Sequence, residues 1–140
     1  MKKSDLLRHR IIQGILAQPT ESVADAAFHI WGQMSAQIIS IVGVGGFNSL
    51  YARSVFLTQS TFPWLAVSIP SRQTSHGFDE LKLSLEAQLP AQASEANLLL
   101  LITFTDILAS LIGEQLTTSI LRSAWSIDAS DIVSKEFENE

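Results

Sequence analysis

A chain of 140 residues without cysteine is long enough to bury a real core, and it excludes disulfides and thiolate chemistry. Apolar residues make up 46% and charged residues only 16%, against about 25% in a typical soluble domain, so some apolar surface is expected to lie against a partner, most simply a second copy. The net charge of −5 is unevenly spread, with a basic first ten residues and an acidic tail, and neither end is a block that points to nucleic acid.

Taken in order, Leu6, Leu7, Ile11, Ile12, Ile15 and Leu16 recur at helical spacing and predict a helix from Asp5 to about Gln18, closed by Pro19. Thr20 is placed to cap a long second helix over 21–42, whose apolar stripe is expected to run through Val23, Ala26, Ala27, Ile30, Trp31, Met34, Ile38 and Ile41. Gly43, Gly45 and Gly46 are expected to break it. A third helix runs from Phe47 or Asn48 to about Thr61, stopped by Pro63, and residues 66–77 read as a linker. A fourth is predicted from Ser75 or Asp79 to about Leu89, with Phe78, Leu81, Leu85 and Leu89 on one face. A fifth spans 95–112 and a sixth 114–125, separated by Gly113; residues 128–140 form an acidic tail. The most apolar stretch, Leu98–Ile112, is about 15 residues, shorter than the roughly 20 that cross a bilayer, and it contains Asp106; a core helix is expected, with no membrane span. The basic start lacks the long apolar run and cleavage site of a signal peptide. No alternating run flanked by hairpin turns predicts a strand.

The fold class is therefore all-α, a five- or six-helix bundle in one domain over 1–140. The two halves, 1–70 and 71–127, share a pattern: a short helix, a proline, a long apolar helix, a glycine, and a helix with an arginine. Gly43 aligns with Gly113, Leu50 with Ile120, and Arg53-Ser54 with Arg122-Ser123 after one gapped residue. Such halves would pack as three-helix units about a pseudo-two-fold axis.

Three constellations bear on function. The stretch GVGGFNS resembles a phosphate cradle, but it follows a helix and lacks the P-loop lysine, so a glycine-rich interhelical turn is expected instead. Arg53 and Asp106 are single charges in apolar segments, and a buried charge needs a partner. Arg53 is expected to reach Asp106 or Glu114, and Arg122 to reach Asp25; these four, Arg53, Arg122, Asp106 and Glu114, are the candidate ligand-binding set. Glu21, Asp25 and His29 fall at i, i+4 and i+8 on one helical stripe and could share a metal if a second helix contributed. No catalytic constellation and no cofactor motif stand out.

The reading favoured is a non-enzymatic interaction or regulatory protein of a small bacterial, cytoplasmic type, acting through protein–protein contacts as a homodimer, with Ile132, Val133 and Phe137 of the tail available for docking. The alternative is a binder of a small apolar or anionic ligand between the halves. A third is a metal-dependent helical enzyme.

Overall fold

The computed structural model describes residues 3–16, 22–65 and 78–125, and among them every regular element is a helix. These are α1 (Lys3–Leu16), α2 (Val23–Thr58), α3 (Asp79–Glu86), α4 (Pro90–Ile112) and α5 (Glu114–Ala124). The expected Thr20 cap, the 66–77 linker and the acidic tail lie outside the described residues.

Helix α2 starts at Ser22, whose hydroxyl accepts from the Asp25 amide at 3.2 Å and so satisfies one of the free donors of the first turn. It continues for 36 residues with one interruption, Gly43, at φ 83° and ψ 166°. That region of backbone space is open essentially to glycine alone. The other two glycines do not break the helix as expected. Gly45 is helical with open space around it, and Gly46 is helical at a position where an added Cβ would stand 3.1 Å from the Val42 Cβ.

Helix α4 begins five residues earlier than its apolar pattern suggests. Pro90 opens it, since a proline in the first turn gives up only an amide that would be unpaired anyway. Gly113 ends α4 and starts α5 at φ 98° and ψ 153°, nearly the conformation of Gly43. Helix α3 is shorter than predicted, and Leu89, expected on its apolar face, is 70% exposed.

Burial follows the same seventy-residue spacing. Trp31 and Leu101, Met34 and Phe104, Ile38 and Leu108 are buried pairs before the glycines; Leu50 and Ile120, Tyr51 and Leu121 are buried pairs after them. Arg53 and Ser123, also seventy residues apart, are both exposed, whereas Arg122 is half-buried. Arg8 and Phe78, and Ile11 and Leu81, seventy residues apart, are all buried as well.

The long helices α2 and α4 form the centre of the bundle. Helix α3 packs chiefly on α2, whereas α1 packs on α4 and α5 and makes few contacts with α2, to which it is joined. The core is aromatic around Trp31, whose ring meets Tyr51 at 5.3 Å and Phe104 at 5.2 Å, both edge-on, and Phe78 at 5.7 Å. Each edge-on pair adds about 0.5–1.5 kcal/mol beyond area burial. Buried hydroxyls bond back to their own helix: Ser54 to the Leu50 carbonyl at 2.7 Å and Thr58 to that of Ser54 at 2.8 Å. Polar groups thus enter the core without demanding partners from elsewhere.

Candidate functional site

The most concentrated buried charge in the described residues is where α1 meets the α4–α5 corner. Arg8 lies on the same stripe as Ile11 and Ile12, so folding that apolar stripe inward takes the guanidinium with it, to 2% exposure. Its Nε donates to Glu114 Oε2 at 2.8 Å and its Nη2 to Glu114 Oε1 at 3.1 Å, the two-pronged geometry that suits arginine and carboxylate. Nη1 donates to Thr105 Oγ1 at 2.8 Å and stands 2.6 Å from Asp106 Oδ1. His9 Nε2 reaches the same Asp106 oxygen at 3.0 Å. Glu114 is fixed at this spot because Gly113 turns the chain just before it. Burial works against the charge on Arg8, but Glu114 and Asp106 outweigh it and hold the guanidinium above its ordinary range.

The predicted partner of these carboxylates is elsewhere. Arg53 is exposed on α2, and Asp106 and Glu114 hold Arg8 in its place. Arg8 carried a sequence signal, a basic residue in step with Leu7, Ile11 and Ile12, which is easily read as part of the basic start of the chain.

Arg122 is half-buried, and its Nε is buried without a hydrogen-bond partner. It does not meet Asp25. Asp25 pairs with Lys82 of α3 at 3.0 Å, and the Lys82 ammonium stands 5.6 Å from the centre of the Phe28 ring. That pairing, with the Ser22 hydrogen bond, lowers the Asp25 carboxyl below its usual value, and the Asp25 hydrogen bond raises Lys82. His29 is exposed, edge-on to Phe28, and Glu21 lies outside the described residues. Among the described residues, no group of three histidine or acidic side chains is placed to hold a metal ion.

No protein-family model, curated protein or solved structure matches the chain. What can be said of function therefore rests on its own chemistry.

Two further buried groups went unnoticed in the sequence. Asn97 accepts from the Trp31 indole at 3.0 Å through its Oδ1, which leaves its Nδ2 buried without a partner. Trp125 donates to the Ile30 carbonyl at 3.1 Å, and Gln37 donates to the Ser123 hydroxyl at 3.0 Å, so the end of α5 is tied to the middle of α2. Helices α2 and α4 are also long and apolar enough to cross a membrane by length and composition, a test that core helices of water-soluble bundles pass as well. At 23 residues, α4 exceeds the 15-residue apolar stretch that its sequence marks out.

Proposed function

We propose that this chain is a non-enzymatic interaction protein that works through helix-face contacts as a homodimer, built from two related three-helix halves. One observation carries the reading: aliphatic side chains stand exposed at the same place in both halves. Ile41 and Leu111, each two residues before its glycine, are 48% and 66% exposed; near them, at places that do not correspond, Val44 and Leu116 are 41% and 43% exposed. Large apolar residues repeated at matching corners are the kind of surface that a partner covers. Arg8 is meanwhile engaged with Glu114 and Asp106, and Lys82 with Asp25. In this reading α2 and α4 are core helices of a cytoplasmic protein, each turning one face inward around Trp31, Leu101 and Phe104.

Light scattering across a concentration series tests it. The wild type is expected to be dimeric at micromolar concentration. The Ile41→Lys/Leu111→Lys variant is expected to be monomeric with an unchanged melting curve, because both side chains are exposed. A wild type that stays monomeric to about 100 μM would remove the reading, since this corresponds to only about 5 kcal/mol of association.

A second reading has its own observation. Arg122 Nε and Asn97 Nδ2 are buried donors that lack acceptors. A ligand with carboxylate or phosphate oxygens that satisfied the arginine would raise the melting temperature. The Arg122→Met variant would abolish that shift.

A further inference from the structure

The groove between α4 and α5 that holds α1 has a chemical requirement as well as a shape. Thr105, Asp106 and Glu114 converge on one cation, and burial makes that cation arginine-specific, because Glu114 is met by two prongs. If α1 leaves, Glu114 and Thr105 lose their partner and the groove is left with uncompensated polar groups. Only a helix that carries arginine beside two aliphatic side chains restores them.

Helix α1 is free to serve a groove other than its own. It makes few contacts with α2, the helix to which residues 17–21 join it, and nearly all its burial is against α4 and α5. Moving it to another molecule therefore gives up almost nothing that the second molecule does not return. The chain follows this rule internally: α1 of the first half docks on the second half, and α3 of the second half docks on the first. Exchange of a short helix between units is already how the bundle is assembled.

We propose that α1 is exchanged between two copies of this chain, each copy's Arg8 entering the other's groove against Glu114, Asp106 and Thr105. This rests on the homodimer reading above and specifies how the two copies are joined. An element swapped between identical chains remakes every contact it breaks, so the exchange itself is near neutral, and the dimer is favoured by the apolar corners at Ile41 and Leu111 that the two copies cover.

The test uses two full-length charge-reversal variants, Arg8→Glu and Glu114→Arg. Each alone places like charges in its own groove and is expected to melt about 10 °C below the wild type, the scale of a broken buried pair in a chain of this size. In an exchanged heterodimer both grooves become matched, since each arginine meets a carboxylate from the other chain. Mixing the variants is therefore expected to recover most of the lost melting temperature and to give a 1:1 species of the two masses by native mass spectrometry. The double variant Arg8→Glu/Glu114→Arg calibrates how much recovery a matched groove gives within one fold. If the double variant recovers and the mixture does not, α1 docks only within its own chain and the exchange is overturned. A wild type that is nonetheless dimeric in that case keeps the homodimer reading; a monomeric wild type loses both.

Discussion

Replacing Arg8 by alanine is the sharpest single perturbation of this fold. The side chain is 2% exposed, and its loss removes two bonds to Glu114, one to Thr105 and the close approach to Asp106. Removing one partner of a fully buried ion pair costs about 3–5 kcal/mol. Glu114 retains 18% exposure and Asp106 47%, so both can regain some water, which brings the expected cost down to about 2–3 kcal/mol. At about 4 °C per kcal/mol for a chain of this length, Arg8→Ala should melt about 8–12 °C lower. The loss has a ceiling. Once it exceeds the docking energy of α1, that helix detaches while α2 to α5 remain packed. Circular dichroism melting gives the size of the effect, and amide exchange shows whether α1 loses protection first. Added salt should leave the wild-type contact largely intact, because buried pairs are poorly screened. An Arg8→Ala protein melting within about 2 °C of wild type, with α1 still protected, would refute the reasoning. The Arg8→Met/Glu114→Leu pair should recover much of the loss, since packed apolar groups often replace a buried ion pair without penalty.

Three further outcomes are expected. Gly43→Ala and Gly113→Ala should each cost about 1–3 kcal/mol because their φ of 83° and 98° is closed to other residues, while Gly45→Ala, in helical backbone with open space, should be neutral or stabilising; chemical denaturation separates them. Phe78→Ala should cost about 3–5 kcal/mol, since it empties a site ringed by Trp31, Phe47 and Tyr51, and the near-ultraviolet signal of Trp31 should change with it. The Asp25 carboxyl, held low by Lys82 and Ser22, stabilises the fold above its ordinary value, and that contribution is lost as pH falls through the lowered one. Its resonance in an NMR titration should shift at lower pH than a free aspartate, and Lys82→Met should move the midpoint up.

Local pattern made the helices legible and left their pairing illegible. The apolar stripes of α2 and α4 and the positions of Gly43 and Gly113 follow from spacing and backbone freedom, both properties of neighbouring residues. Pro90 misled because the same residue that ends one helix can open the next. The charges were harder. Asp106 and Glu114 stand in apolar segments and so call for a cation, but the cation that answers is about a hundred residues away, and no local rule chooses Arg8 over Arg53. Arg53 and Arg122 stand at similar places in the sequence pattern, yet Arg53 is exposed and Arg122 half-buried, a difference that packing sets and local pattern does not.

Under the proposed reading of two related halves, Arg8 and Phe78 hold equivalent places, seventy residues apart. If a first half faced another first half, Arg8 would meet Ser35, Ala36 and Val44, the counterparts of Thr105, Asp106 and Glu114, with no carboxylate among them. If a second half faced another second half, Phe78 would meet Leu101, Thr117 and Leu121 in place of Trp31, Phe47 and Tyr51. Like would meet like with a stranded cation in one case and a thinned aromatic nest in the other. In that reading the same socket is keyed twice, once by charge and once by ring, and each half would be complete only against its opposite.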